Sequence, residues 1–247
     1  MQKIDTAMLF AAGLGTRFKP WTDSHPKALA LVNGKSLLQR NVEYLAAYGI
    51  HNIILNVHHF AGQIVETVNR NNGWGSHITF SDESDQLLDT GGGMLKARDL
   101  LESTGRFVTI NADILTDLNI HALAEFHQKQ EALISFGITS RTSSRVLLFD
   151  SSWQLTGWRN NQSGEVRMVK GRTKEEPATF RAMAYSCVTV MESRVFALIN
   201  QKGKFSLIDV YLDLAATEKI KGFDHSGDKL VDVGRQESIP IAEKLFP

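Results

Sequence analysis

Short β-branched or apolar runs alternate with helical spacing through the first half of the chain. Runs at residues 7–12, 52–57, 77–81, 107–111 and 133–139 predict strands, since four to eight such residues bounded by turn formers match a buried strand. The segments joining the first four are long enough for right-handed helical crossovers, which makes those strands parallel. Between the first two, Leu38, Val42 and Leu45 repeat at i, i+4 and i+7, an apolar stripe suited to covering a sheet. Gly49 ends that helix. From Arg145 to about Thr189 the pattern changes to short strands with turn-rich breaks such as Asn160-Asn161-Gln162-Ser163-Gly164, which predicts hairpins extending the sheet. Helical spacing returns at Leu207, Val210, Tyr211 and Leu214, before a short strand at 230–233 and a closing helix from 236 to about 245. No repeat, low-complexity stretch or linker interrupts this order, so one α/β domain over residues 1–247 is expected.

Composition limits what such a domain binds. The 27 basic residues balance 27 acidic ones, so no general field draws in nucleic acid or anionic lipid, and any phosphate must be held by local groups. The opening Met1-Gln2-Lys3-Ile4-Asp5-Thr6 carries an acid where a signal peptide is basic, and the apolar run after it breaks at Gly13. A cytoplasmic protein without a membrane partner is expected. The single cysteine, Cys187, lies in an apolar run and is expected to be buried without a role.

Ala11-Ala12-Gly13-Leu14-Gly15-Thr16-Arg17 follows the first strand directly, so it lies at a carboxyl end, where open α/β sheets bind ligands. Gly13 and Gly15 permit a sharp turn and bring N–H groups close to an anion, and Arg17 adds a permanent bidentate phosphate donor. Ten residues on, Pro26-Lys27 supplies a second cation, with Pro20 and Pro26 stiffening the loop. A dinucleotide loop would need glycine at Phe18, and a Walker loop would need glycine at Leu29 to accompany Gly34-Lys35-Ser36. Taken alone, the two glycines are as well explained by a tight turn.

The run Phe10 to Arg17, with Pro20 and Pro26-Lys27, resembles the signature of sugar-1-phosphate nucleotidyltransferases. The resemblance continues through Asp89-Thr90-Gly91-Gly92-Gly93, Asn111-Ala112-Asp113 and Val231-Asp232-Val233-Gly234, and among subgroups it is nearest to the short N-acetylmuramate-1-phosphate uridylyltransferases. It implies a GT-A-like fold, a Rossmann-like, mostly parallel sheet flanked by helices, with an inserted β-hairpin sugar-binding region. Residues 1–140 would form the nucleotide half and 141–247 the sugar-phosphate half. It implies a nucleoside triphosphate and a sugar-1-phosphate as partners, and Mg²⁺ held by Asp113 and Asp232. Two carboxylates plus substrate phosphates suit that hard ion. Without the resemblance, either aspartate reads as a turn or cap residue, as Asp117 does for the helix after it. Ala112 departs from the glycine usual before the metal aspartate.

By the same resemblance Arg17, Lys27 and Asp113 are the catalytic candidates, and Ala11, Ala12, Gly13, Gly15, Thr16, Asn56, Glu83, Thr90 and Gly91 contact the nucleotide. Thr90-Gly91-Gly92-Gly93 precedes a helical pattern, which predicts open amides at a helix N-terminus on which a flat base could rest. His58 and His59 lack metal-ligand spacing and are left out. For the sugar phosphate the family's Glu-Lys-Pro lysine has no clear copy. Arg159, in Gly157-Trp158-Arg159-Asn160, is the substitute cation, with a surface hairpin an equally good reading. Tyr185 and Ser186 fall where the family contacts the sugar, although strand packing explains them as well.

UTP with N-acetylmuramate-1-phosphate or a related hexose-1-phosphate is the first expectation. Mannose-1-phosphate guanylyl transfer, glucose-1-phosphate uridylyl or thymidylyl transfer, and cytidylyl transfer to a phosphorylated amino alcohol are its rivals. An inactive nucleotide-sugar-binding regulator is the rival of another class, and the presence of all of Arg17, Lys27, Asp113 and Asp232 argues against it. A glycosyltransferase of related fold would show a DxD pair, and Asn111-Ala112-Asp113 has one of its acids. The chain ends soon after the Asp-Val-Gly element, leaving no room for a trimerising β-helix, so a monomer or small homo-oligomer is expected.

Overall fold

A computed structural model describes residues 4–172 and 180–247. The first three residues, part of the amino-terminal reading, and Thr173–Thr179, within the expected hairpin stretch, lie outside it.

In chain order, the first half comprises β1 (Thr6–Phe10), the short pair β2 (Leu31–Val32) and β3 (Lys35–Ser36), α1 (Leu37–Ala47), β4 (Asn52–Val57), α2 (Ala61–Arg70), β5 (His77–Asp82), α3 (Asp89–Lys96), α4 (Arg98–Leu101), β6 (Arg106–Asn111), β7 (Ile114–Thr116), α5 (Ile120–Gln130) and β8 (Ile134–Thr139). Then follow β9 (Arg145–Phe149), β10 (Leu155–Asn160), β11 (Val166–Met168), β12 (Arg181–Glu192), α6 (Leu207–Leu214), β13 (Ile220–Asp224), β14 (Leu230–Asp232) and α7 (Ile239–Leu245). Ten strands form one mixed sheet in the order β11-β10-β9-β12-β6-β1-β4-β5, with β8 on β12 and β13 on β8. The strands β6, β1, β4 and β5 are parallel neighbours, and β9, β10 and β11 are the antiparallel hairpin extension. The Rossmann-like expectation holds.

Period-two alternation puts the two sides of β1 into two cores. Met8 and Phe10 pack with Ile54, Phe107, Phe136 and Tyr211 on one face. Ala7 and Leu9 pack with Leu38, Val42, Leu45 and Leu55 on the other. The stripe on α1 therefore covers the sheet as its spacing requires, starting from a Ser36 cap whose hydroxyl accepts from the Gln39 amide at 3.0 Å and stopping near Gly49 at φ +75°.

Several elements differ from expectation, among them the short strands β2, β3 and β7, which were not anticipated. The cap of α5 is Asn119, which accepts from Ala122 N at 3.1 Å. Asp117 instead accepts from the Lys229 amide at 2.7 Å and ties two distant loops. The closing helix is shorter, a 3-10 turn at Gln236–Ser238 followed by α7, with Pro240 in the first turn, where its missing N–H costs nothing. Strand β13 was not anticipated, since Lys221 and Gly222 interrupt its apolar run; it pairs in parallel with β8.

The central irregularity is in β12. Arg181–Met183 pair with β9 and Val188–Glu192 with β6, while β8 pairs with β12 on both sides of a register break between Tyr185 and Thr189. Cys187 sits in that break at φ +57°. The bulge lets one twelve-residue strand join the parallel half to the hairpin extension.

Candidate active site

The site forms beyond the carboxyl ends of β1, β4, β5 and β6. Leaving β1, the Ala11 amide donates to Asn56 Oδ1 at 2.7 Å, and Asn56 Nδ2 donates to Glu83 Oε1 at 2.7 Å. Glu83 Oε2 accepts from the Leu88 amide at 3.1 Å. Asn56 is 3% exposed and Glu83 fully buried, so this chain of bonds locks three successive loops together rather than meeting solvent. The turn itself demands glycine at Gly15, where φ is +62° and a Cβ would lie 2.8 Å from Thr22 Cγ2 and 3.1 Å from Lys27 Cβ.

Lys27 forms an ion pair with Asp113, at the end of β6, and its side chain is only 12% exposed. The β7–β14 pairing sets Asp232 opposite Ile114, and the Val233 amide donates to Asp113 O at 2.8 Å, so the two aspartates arrive side by side from opposite ends of the chain. A Cβ on Gly234 would lie 2.7 Å from Asp232 Oδ1 and 2.9 Å from Arg17 Nη2, so both side chains approach Gly234, and the Arg17 charge is felt at Asp232. Asp232 Oδ1 is buried with no hydrogen-bond partner. Burial first, then the Asp113 charge, hold its carboxyl above the usual carboxylate range, opposed by Lys27, Arg17 and Arg141. Two adjacent carboxylates, one with an orphaned buried oxygen, fit a hard divalent cation. Among the described residues no group of three or more His, Cys, Asp or Glu could hold a metal, so further ligands would be water or substrate oxygens.

Two cavities meet here. One of about 280 Å³ is lined by Ala11, Ala12, Gly13, Lys27, Asn56, Glu83, Thr90 and Asp113 among others. The other, about 640 Å³, takes in Arg17, Thr90, Asp113, Asp232 and Tyr185. Asp113 and Thr90 line both. Gly15, Thr16, Gly91, Arg159 and Ser186 line neither.

The glycine run is placed differently from the expectation. Gly91, Gly92 and Gly93 lie inside α3, not before it, and the amides of Gly91 and Gly92 are taken by Phe205 O at 2.9 and 3.2 Å. A Cβ on Gly91 or Gly92 would strike Phe205 or Gly203, and one on Gly93 would lie 2.5 Å from Glu83 Oε1. The run is a close-packing seat for the chain at 203–205. That seat carries Lys204 to the smaller cavity, a residue with no sequence signal because it comes from the far half.

Arg159 does not face the cavities. Its Nε donates to Asn161 Oδ1 at 2.8 Å, and Asn161 in turn donates from its side chain to Ser143 O at 2.9 Å and from its backbone to Ser144 O at 2.7 Å. It braces the loop between β8 and β9, and that loop puts Arg141 and Arg145 into the larger cavity. Two arginines in a serine-rich break at the carboxyl end of a strand were a legible signal for this. Ser186 is fully buried, with its Oγ 2.6 Å from His225 Nε2, and lines neither of the two cavities. Cys187, expected to be buried without a role, is only half-buried and lines the larger cavity, and desolvation pushes its thiol up, keeping it neutral.

Glu83→Gln keeps the shape but replaces one acceptor oxygen with a donor facing Asn56 Nδ2 or the Leu88 amide. A stability loss of about 1–3 kcal/mol is expected, with about tenfold weaker triphosphate binding by calorimetry as the Ala11 loop loosens. Unchanged affinity would detach this network from the nucleotide cavity.

A nucleotidyl transferase family model matches residues 6–145, more than half of the chain, and the chain belongs to that family. Over 105 residues it is 42% identical to N-acetylmuramate alpha-1-phosphate uridylyltransferase of Caulobacter vibrioides, a match covering 41% of this chain and 43% of that protein. It is 27% identical over 241 residues to mannose-1-phosphate guanyltransferase of Yarrowia lipolytica, covering 97% of this chain and 63% of that protein. The chain thus spans roughly half the length of these curated relatives. Among solved structures, HddC of Yersinia pseudotuberculosis complexed with GMP-PN superposes with a TM-score of 0.77 at 23% identity, covering 99% of this chain and 100% of that one. A UDP-glucose pyrophosphorylase complexed with UDP-glucose gives 0.75 at 17% identity, covering 98% and 97%. Both show the fold. Among the described residues no helix is long and apolar enough to cross a membrane.

Proposed function

We propose that the protein transfers a nucleotidyl group from a nucleoside triphosphate to a sugar-1-phosphate, releasing pyrophosphate. The observation that carries this is the meeting of Arg17, Lys27, Asp113 and Asp232 where the two cavities join. The smaller cavity takes base and ribose beside Asn56, Glu83 and Thr90, and the larger takes the sugar beside Tyr185. An acceptor phosphate oxygen attacks the α-phosphorus, a new P–O bond forms, and the bond to the β-phosphate oxygen breaks in line. No general base is required, because a phosphate monoester is already anionic near pH 7. Catalysis is positioning and charge stabilisation: Arg17 and Lys27 hold phosphate oxygens, and the buried walls keep their donors fixed. Mg²⁺ on Asp113 and Asp232 would neutralise charge on the α-phosphate and the leaving pyrophosphate when bound.

Our reading of the pair is UTP with N-acetylmuramate-1-phosphate or a related hexose-1-phosphate, supported by the Caulobacter match at 42% identity. The Yarrowia match, over nearly the whole chain, supports GTP with mannose-1-phosphate as a second reading. Incubating the protein with each triphosphate, Mg²⁺ and a panel of sugar-1-phosphates, and following pyrophosphate, tests both. Release with one preferred pair is expected; release with none would favour a regulator that binds nucleotide sugar without turning it over.

A further inference from the structure

The larger cavity gathers more arginines than carboxylates. It is lined by the guanidinium groups of Arg17, Arg141, Arg145 and Arg235 against the carboxylates of Asp89, Asp113 and Asp232. Arg17, Asp113 and Asp232 belong to the transfer point. Among the described residues, Arg141 and Arg145 form no ion pair with a carboxylate. Arg141 reaches toward β12, donating to Tyr185 O at 3.2 Å, and its charge is felt at Asp232. Its Nε is buried without a partner, a desolvated donor that a ligand anion would satisfy. Arg145 stands farther out, at the start of β9, with Ser143, Ser144 and Gln162 on the same cavity wall. The wall is held in place, because Asn161 grips both serine carbonyls and Arg159 grips Asn161.

We propose that this distal wall is a second anion subsite: Arg141 takes the 1-phosphate of the acceptor, and Arg145, with the donors beside it, takes a further anionic group carried by the sugar itself. This rests on the transfer reading and narrows its acceptor to sugars bearing a carboxylate or a second phosphate. A guanidinium matches either anion with paired donors. A neutral hexose would leave Arg145 in water and gain nothing from it.

Acceptor pairs that differ by one anionic group test this by calorimetric binding, which needs no turnover. Glucuronate 1-phosphate and glucose 1,6-bisphosphate are each compared with glucose 1-phosphate, and N-acetylmuramate 1-phosphate with N-acetylglucosamine 1-phosphate. At least one more anionic member is expected to bind about tenfold more tightly, and which of them does so separates carboxylate from phosphate. In Arg145→Ala that advantage falls to about onefold, with the neutral sugars' affinity changed less than twofold; Arg145→Lys retains part of it. Equal binding within every pair, or an Arg145→Ala protein weakened equally for both members, would overturn the subsite. Pyrophosphate release separates it from the reading beneath it. Anion-selective binding without release from any triphosphate keeps the subsite and removes the transferase, whereas release with neutral and acidic sugars at equal kcat/KM keeps the transferase and removes the subsite.

Discussion

Replacing Lys27 by alanine is expected to lower kcat/KM for pyrophosphate release about 10²–10³-fold, the usual effect of deleting one fixed charge-stabilising donor. Lys27 is only 12% exposed, is paired with Asp113, and has its ammonium 5.9 Å from the Phe18 ring centre. Its position is set by Pro26 at φ −72° and by a single 3-10 turn, Lys27–Leu29. On the proposed transfer reading the ammonium is thus held where phosphate charge develops and reorganises little during reaction. The loss should fall mainly on kcat, since ground-state triphosphate keeps the Ala11–Gly13 loop and Arg17. Lys27→Arg is not expected to rescue fully, because a planar fork cannot occupy the place of a compact ammonium. Steady-state kinetics of both variants, with far-UV circular dichroism to verify folding, checks this. An alanine variant within twofold of the parent would take Lys27 out of the mechanism.

What could be read from the sequence follows a physical division. Runs covered on both faces by core, such as β1 and β4, are strongly patterned and were legible nearly to the residue. So was the loop at the end of β1, because a left-handed Gly15 wedged between Thr22 and Lys27 admits no side chain. Illegible features depend on contacts between distant segments. The glycines of α3 looked like an open cradle, and only the tertiary packing shows their amides spent on Phe205 O. Lys204 reaches the smaller cavity only through that seat. Arg159 looked like a cavity cation because a hairpin pattern does not say which way its loop is braced, and the bond to Asn161 turns it into a support for Arg141 and Arg145. The adjacency of Asp113 and Asp232 follows from the β7–β14 pairing, which three-residue strands do not announce.

That adjacency has an energetic consequence opposite to its chemical one. Asp232 Oδ1 is buried without a partner, and burial and the Asp113 charge raise its carboxyl above the ordinary range. A raised carboxyl contributes fully to stability below the unfolded-state pKa, and that contribution is lost as pH rises through the raised folded value. Near pH 8 the parent protein therefore carries the whole cost. Asp232→Asn removes the like charge and supplies a donor toward Asp113, so it is expected to stabilise the metal-free protein by about 1 kcal/mol. That corresponds to a Tm rise of about 2–4 °C for a chain of this size. The gain should shrink as pH falls and the parent's Asp232 protonates. Turnover should drop at least about 10²-fold, and Mg²⁺ should raise the Tm of the parent but not of the variant, because binding only the folded state is what stabilises it. Differential scanning fluorimetry at pH 5 and pH 8, with and without Mg²⁺, reads all three. A variant no more stable than the parent at pH 8 would mean that Asp232 is already neutralised in the folded protein, and the carboxylate pair would then not be a site kept at the expense of stability for the sake of the proposed cation.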